Sequence, residues 1–250
     1  DLVANEDVDF SGLDVVFCGL PHGTGQQLIA DIIEGNPSIR VVDMGADFRF
    51  RKPEVFASAY GSKHVAPHLQ TVTAYGLTEH NREAIAKARI IACPGCYPTA
   101  ALLALLPLAK TGAISTQDLI IDAKSGVSGA GRSPKQNTLM AEAGESVSPY
   151  AVGVHRHAPE IEQELSLASG DDVIVNFTPH LIPMSRGELV TAHVKLGNAT
   201  NADDLRGVLR QAYADEPFVR VAEKGELPAT GHVRGSNFCV ISVFDDRISG

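Results

Sequence analysis

The sequence predicts an α/β protein with a doubly wound parallel sheet, followed by a mixed α/β region whose sheet is largely antiparallel. Over the first hundred residues, short apolar runs alternate with helical patterns, which is typical of a parallel sheet covered on both faces. After about residue 110 the strand-like runs lengthen, and one of them alternates apolar and polar residues. We therefore expect two domains, one over residues 1–95 and one over residues 96–250.

The first domain combines three apolar runs with two helical patterns. The expected strands are 14–20, 39–43 and 89–92, and the expected helices are 26–34 and 79–87, with a further helix at 97–110 that begins the second domain. Gly35 and Asn36-Pro37 end the first helix, and Pro98 is tolerated in the first turn of the last one, which needs no backbone donor. Residues 44–76 have no clear period, so we expect an irregular segment that flanks the active site.

The second domain has longer strands. The expected strands are 118–124, 172–181, 188–196 and 237–245, and the expected helices are 158–168 and 201–214. In residues 188–196, Leu189, Thr191 and His193 alternate with smaller apolar residues, which predicts a sheet with one wet face.

Composition excludes several classes of function. The 250 residues carry a net charge of −9, so we expect no nucleic-acid partner. No apolar run is long enough to span a membrane, and the first residues lack a signal pattern. The four cysteines, one of them a candidate nucleophile, favour a reducing compartment, and we expect a cytoplasmic protein.

Cys96 is the most informative residue of the sequence. It follows an apolar strand and the strand-breaking pair Pro94-Gly95, and a strong helix-forming run begins directly after it. The free N–H groups of a helix N-terminus favour a thiolate, which is the nucleophilic form of cysteine. A cysteine between a strand and a helix start is therefore a candidate nucleophile for acyl chemistry, whereas Cys93 is expected to be a buried residue at the strand end.

The same cysteines allow two other interpretations. Cys93 and Cys96 form a C-x-x-C, which could be a redox dithiol or half of a zinc site. Cys18 and Cys239 lie in apolar runs and do not make a second pair, so we expect no metal.

Two glycine- or proline-rich segments are candidate anion sites. The run from Lys124 to Arg132 follows a strand, and its free backbone N–H groups, with Ser125, Ser128 and Arg132, could cradle a phosphate or carboxylate. The run 178–187 ends on Arg186 and Gly187, and it is either a plain connection or a further anion contact. A flexible glycine loop is the alternative for the first run.

A pair of histidines precedes a predicted helix start. His155 and His157 are two residues apart, so we expect their rings to point in different directions, and Ala158-Pro159-Glu160 begins the helix. His157 is our candidate acid/base, with Glu160 orienting its ring, and His155 is the competitor, which otherwise supports the loop. The turn Gly19-Leu20-Pro21-His22, which ends the first strand, should touch a cofactor because ligands bind beyond the carboxyl ends of such strands.

Five motifs occur together in one order, and as a set they resemble the N-acetyl-gamma-glutamyl-phosphate reductases of arginine biosynthesis. They are Leu20-Pro21-His22-Gly23, Gly45-Ala46-Asp47-Phe48-Arg49, Pro94-Gly95-Cys96-Tyr97-Pro98-Thr99, Ser125-Gly126-Val127-Ser128-Gly129-Ala130-Gly131-Arg132 and His155-Arg156-His157-Ala158-Pro159-Glu160. The resemblance covers essentially the whole chain. It implies a partial Rossmann domain over residues 1–95, without the N-terminal glycine-rich phosphate turn, and a catalytic, substrate-binding and oligomerisation domain over 96–250, without the C-terminal helix, as in the aspartate-semialdehyde dehydrogenase group.

The resemblance also implies an activity. It is the NADPH-dependent reductive dephosphorylation of N-acetyl-L-glutamyl 5-phosphate to the 5-semialdehyde through a thioester on Cys96, with a histidine acid/base, in a homo-oligomer that is a dimer or tetramer. The expected substrate contacts are Ser125, Ser128, Arg132, His155 and Arg186, and the expected cofactor contacts are Gly19, Leu20, Pro21, His22 and Gly126. The alternatives are a reductase of aspartyl phosphate or of a carrier-linked aminoadipyl phosphate, a thiol oxidoreductase, and a non-catalytic C-x-x-C module that binds metal or thiols.

Overall fold

The computed structural model describes residues 3–131, 133 and 135–248. The chain divides into two compact units, Asp1–Gly95 and Cys96–Gly250. The first unit holds one four-stranded sheet, and the second holds a four-stranded and a two-stranded sheet.

The first unit is built on four parallel strands. They are β1 (Val15–Cys18), β2 (Arg40–Asp43), β3 (Thr73–Tyr75) and β4 (Ile90–Ala92), in the spatial order β1-β2-β4-β3. Ile29, Ile39, Val41 and Ile90 are completely buried at the centre of its apolar core. The predicted parallel sheet is confirmed, and its carboxyl ends lie together at one edge.

The helices of this unit are α1 (Gly25–Gly35), α2 (Pro53–Tyr60) and α3 (Thr78–Lys87). The expectation of an irregular segment over 44–76 is wrong, because α2 and β3 both lie within it. α2 begins at Pro53 and is followed by Gly61 with a left-handed φ of 73°, and Phe56 is its one fully buried side chain. A helix of two turns with a single core residue shows too little periodicity to be recognised, although the proline and glycine mark its ends.

The second unit surrounds a mixed sheet. Its helices are α4 (Cys96–Lys110), α5 (Met140–Ala143), α6 (Ala158–Ser169), α7 (Ala202–Ala212) and α8 (Thr230–Val233). Its strands are β5 (Leu119–Gly126), β6 (Ser148–Pro149), β7 (Val175–Ile182), β8 (Glu188–His193), β9 (Val219–Val221) and β10 (Cys239–Ile241). The main sheet has the order β6-β7-β5-β8, in which β5 and β7 are parallel and the two outer pairs are antiparallel.

One face of the main sheet packs against helices and the other is open. α4 contacts β8 and α6, and α6 contacts β7. On β8, Leu189, Thr191 and His193 are exposed, as the alternation predicts. The strand expected over 237–245 is shorter, and as β10 it pairs with β9 in a separate two-stranded parallel sheet, outside the main sheet. β9 was not expected, since three residues carry no period.

Across the described part of the chain, every helix is too short or too polar to cross a lipid bilayer.

Candidate active site

Cys96 is the first residue of α4, and its side chain is exposed. The turn Pro94-Gly95 separates it from the end of β4, so the expected order of strand, turn and helix is present. The helix N-terminus places partial positive charge next to the thiol, which favours its ionised form. Cys93 differs, because burial, followed by the nearby negative charge of Asp43, raises the pKa of its thiol. Of this C-x-x-C pair, Cys96 has the environment of a nucleophile.

Tyr97 connects the Cys96 turn to the main sheet. Its ring is 1% exposed, and its hydroxyl donates to the carbonyl oxygen of His180 at 3.4 Å and accepts from the hydroxyl of Tyr150 at 3.1 Å. A further hydrogen bond joins Tyr97 to Ser125, and burial together with the Tyr150 contact raises the pKa of Tyr97 well above its usual range. Both tyrosines are neutral hydrogen-bonding groups that hold the start of α4 in place.

His155 and His157 lie against the same side of Tyr97. Their ring centroids are 4.8 Å apart, and they lie 5.7 Å and 5.9 Å from the ring of Tyr97, all in edge-to-face arrangements. The expectation that the two rings point in different directions is wrong, since the segment before α6 is a series of turns and not an extended strand. Tyr150 and Phe177 complete the ring cluster around His155.

The two histidines differ in environment. Nδ1 of His155 accepts a hydrogen bond from the backbone N–H of His157 at 3.1 Å. Burial, and secondarily the charge of Arg156, lowers the pKa of His155 to about 4. His155 is therefore neutral near pH 7, with its proton on Nε2, where it can only donate. His157 is 8% exposed and directly precedes the first turn of α6.

Glu188 is a site residue that the sequence analysis missed. It is the first residue of β8 and pairs with Ser125 of β5 across the antiparallel ladder. Burial raises the pKa of the Glu188 carboxyl to about 7, and a hydrogen bond with the Cys96 side chain opposes that rise. The only signal in the sequence was its place in the alternation of β8, on the covered side of the sheet.

The glycine-rich loop after β5 uses three of its backbone N–H groups for contacts within the protein. Three successive backbone N–H groups of the loop donate to carbonyl groups of the 184–187 turn: Gly126 to Gly187, Val127 to Met184 and Ser128 to Ser185. A Cβ on Gly126 would lie 2.9 Å from the carbonyl oxygen of Met184 and from the backbone nitrogen of Arg186. These three N–H groups are therefore occupied, and Gly126 is needed because two loops approach closely.

The remaining predicted residues have different exposures. Ser125 is 6% exposed and donates to the carbonyl oxygen of Gly126 at 3.0 Å, whereas Ser128 and the side chain of Arg186 are exposed. Glu160 is completely buried in the first turn of α6. Arg132 lies outside the described residues. Within the described part of the chain, no group of three or more histidine, cysteine or acidic side chains could hold a metal ion.

The expected cofactor edge lies in the first unit, where β1 and β2 end. Gly19 and His22 are exposed there, and the His22 ring is 4.9 Å from that of Tyr60. A Cβ on Gly45 would lie 2.9 Å from Oδ1 of Asp43 and 3.3 Å from the carbonyl oxygen of Leu20, so the loops after the two strands pack tightly. Glycine-lined loops at the carboxyl edge of a parallel sheet suit a dinucleotide. Pro21 belongs to the same exposed turn.

The comparisons with known proteins agree with this geometry. The family model for the semialdehyde dehydrogenase NAD binding domain matches residues 1–88, and the model for the semialdehyde dehydrogenase dimerisation domain matches residues 96–250. An N-acetyl-gamma-glutamyl-phosphate reductase of Rhodospirillum rubrum is 53% identical over 98% of this chain and 70% of its own length. The chain belongs to the N-acetyl-gamma-glutamyl-phosphate reductase family.

The chain is also similar to a plant reductase and, in fold, to a bacterial semialdehyde dehydrogenase. A probable chloroplastic N-acetyl-gamma-glutamyl-phosphate reductase of Arabidopsis thaliana is 49% identical, and the chain spans 61% of its length. The crystal structure of aspartate semialdehyde dehydrogenase II from Vibrio cholerae matches 95% of this chain and 71% of its own with a TM-score of 0.72 at 18% identity. That likeness shows a common fold for the reductase family and the semialdehyde dehydrogenases.

Proposed function

We propose that this chain carries the catalytic apparatus of an N-acetyl-gamma-glutamyl-phosphate reductase, which converts N-acetyl-L-glutamyl 5-phosphate to the 5-semialdehyde in arginine biosynthesis. The observation that carries the proposal is the position of Cys96, which is exposed at the N-terminus of α4 and hydrogen-bonded to Glu188. It directly precedes Tyr97, whose ring packs against the histidine pair. The names of the relatives support the assignment of this substrate. The chain spans 70% and 61% of the lengths of the two relatives described above.

The reaction begins at the Cys96 sulfur. The thiolate attacks the acyl carbonyl, phosphate leaves, and a thioester remains on the enzyme. A thioester accepts hydride far more readily than a carboxylate, so covalent catalysis divides one difficult step into easier ones. A reduced nicotinamide, when bound, supplies the hydride. Breaking the carbon–sulfur bond then releases the aldehyde.

The two histidines would have different roles, one in proton transfer and one in substrate binding. His157, our candidate acid/base, would carry the proton that assists breakdown of the hemithioacetal. His155 is neutral and presents Nε2–H, so it is suited to donate a hydrogen bond to the substrate. Ser128 and Arg186 are exposed near the 184–187 turn and are our candidates for the substrate phosphate or carboxylate, together with Ser125 and Arg132.

The cofactor would be NADPH, held at the carboxyl edge of the first sheet by Gly19, Leu20, Pro21 and His22. The exposed turn after β1 supports this assignment, as does the NAD-binding family model. A contact of Gly126 with the cofactor stays a prediction. The dimerisation domain indicates an oligomer, and we propose a dimer or tetramer. The four cysteines, all of them among the described residues, form no disulfide, which supports a reducing compartment such as the cytoplasm.

A pair of cysteine variants tests the proposal. In the enzyme produced from its full reading frame, Cys96→Ser should lower kcat/KM for the acyl phosphate by roughly 10³-fold or more, as loss of a covalent nucleophile does. Cys93→Ser is the matched control and should keep most of the activity, since burial disfavours its thiolate. Activity that survives Cys96→Ser but not Cys93→Ser would refute the assignment, and stoichiometric zinc with no activity would favour a metal-binding module.

A further inference from the structure

Glu188 stands apart from the proton-transfer groups assigned so far, because its carboxyl lies beside the reacting sulfur. It is next to Gly187, whose carbonyl accepts from the N–H of Gly126, and it faces Ser125 across the β5–β8 ladder. The residues of β5 on this side of the sheet, Ile121, Ala123 and Ser125, are all buried, so Glu188 points into the covered side.

The first turn of α4 meets this part of the sheet. Tyr97 is joined to Ser125 by a hydrogen bond, and the neighbouring Cys96 side chain is hydrogen-bonded to Glu188. Two adjacent residues of α4 therefore contact two directly paired residues of β5 and β8. The contact between thiol and carboxylate is fixed by strand register and by a buried tyrosine.

We propose that Glu188 takes the thiol proton of Cys96 when the thioester forms and returns it to the sulfur when the aldehyde leaves. The inference rests on the proposed function and identifies a further catalytic residue for the same site, in contact with the reacting atom.

The electrostatics of the pair support this assignment. Burial brings the pKa of Glu188 to about 7, where a general base is most effective in neutral solution. Tyr97 and Tyr150 also interact electrostatically with the pair, and the charge of Arg156 acts on Tyr150. Burial raises the pKa of both tyrosines, so both stay neutral. Because two like charges in contact oppose each other, thiol and carboxyl hold one proton between them near pH 7.

The proton balance closes over one turnover. In acylation, the S–H bond breaks, the proton moves to a carboxylate oxygen of Glu188, the sulfur–carbonyl bond forms, and the carbon–oxygen bond to phosphate breaks. The departing phosphate takes from solvent the one proton that the overall reaction consumes. After the thioester has been reduced by the hydride of a nicotinamide cofactor, the carbon–sulfur bond breaks and the sulfur recovers its proton from Glu188.

The first test is the pH dependence of Cys96 alkylation by iodoacetamide, with tandem mass spectrometry separating Cys96 from Cys93. The unmodified protein should show two inflections, one near pH 7 and one above the usual thiol range, because the pair loses its two protons in separate steps. Glu188→Gln should show a single inflection between them, and Glu188→Asp should restore two. Coincident profiles for the unmodified protein and Glu188→Gln would overturn the proposal.

The second test is kinetic and uses the enzyme from its full reading frame. Glu188→Gln should lower kcat/KM by roughly 10²-fold at pH 6.5, the scale of a lost general base, and the deficit should shrink as pH rises and the thiol ionises unaided. A structural role predicts a deficit that does not change with pH, which would also overturn the proposal. Glu162→Gln is the matched control, since burial also raises the pKa of Glu162, which accepts from the backbone of Val175 at 3.1 Å.

Different results would refute the proposed function and the role of Glu188. Retention of activity in Cys96→Ser would refute the proposed function itself. Loss of activity in Cys96→Ser with normal kinetics in Glu188→Gln would refute only the proton-accepting role of Glu188.

Discussion

Asp43 offers a quantitative prediction about the first unit. It ends β2, its side chain is 1% exposed, and its Oδ1 accepts from the N–H of Gly45 at 2.9 Å. Burial is the main reason that its pKa rises from 3.8 to about 6, with the charge of Asp47 adding to the rise and that of Arg49 opposing it. Asp43→Asn keeps the size of the side chain and its acceptor oxygen, but it removes the ionisation.

The magnitude follows from the shift in pKa. The unfolded chain loses this proton near pH 3.8 and the folded chain near pH 6, so the unfolded state gains more from ionisation. Stability is therefore complete below about pH 4, falls as pH rises to 6, and stays lowered above it. At 1.36 kcal/mol per pKa unit, the loss is about 3 kcal/mol. Asp43→Asn should abolish this loss of stability. The free energy of unfolding of the variant minus that of the unmodified protein should therefore rise by about 3 kcal/mol between pH 3.5 and 7.5.

Urea unfolding at a series of pH values measures this difference, since carboxyl groups that do not interact with Asp43 titrate equally in both proteins and cancel. Asp31→Asn, on the exposed surface of α1, is the control and should show no such rise. A difference between Asp43→Asn and the unmodified protein that stays constant from pH 3.5 to 7.5 would refute the argument, because it would mean that the buried carboxyl has an ordinary pKa.

Two further predictions concern the second unit. His157→Asn should slow turnover by roughly 10²–10⁴-fold in steady-state kinetics, whereas His155→Asn should raise KM or lower the melting temperature more than it lowers kcat; the opposite pattern in folded proteins would exchange their roles. Gly126→Ala should destabilise the protein by about 1–3 kcal/mol in thermal unfolding, because the new methyl group would lie 2.9 Å from the carbonyl oxygen of Met184, and an unchanged melting temperature would contradict the close approach of the two loops.

Local patterns predicted part of the structure around the candidate site correctly. The order of strand, Pro94-Gly95 and helix was recognisable because each part is decided by residues adjacent in the chain, and Cys96 does begin α4. The covered and open sides of β8 followed from its alternation for the same reason. By contrast, α2 was missed because it is short and has only Phe56 fully buried.

Contacts between distant segments could not be predicted in this way. The N–H groups after β5 looked free for a ligand, but the 184–187 turn occupies three of them. The prediction for His155 and His157 assumed an extended segment. The segment before α6 is instead a series of turns, which bring the two rings together.

The sequence by itself determined the parallel sheet of the first unit, the candidate nucleophile and the motifs of the family, because periodicity, turn residues and helix starts are local properties. Only the tertiary structure decided which groups surround that nucleophile. Ser125 and Glu188 lie opposite each other in neighbouring strands although they are far apart in the sequence, and no local pattern specifies such a pairing. Burial then changes the chemistry of these side chains, lowering the pKa of His155 and raising that of Glu188, because a charged group loses its hydration when the chain folds around it.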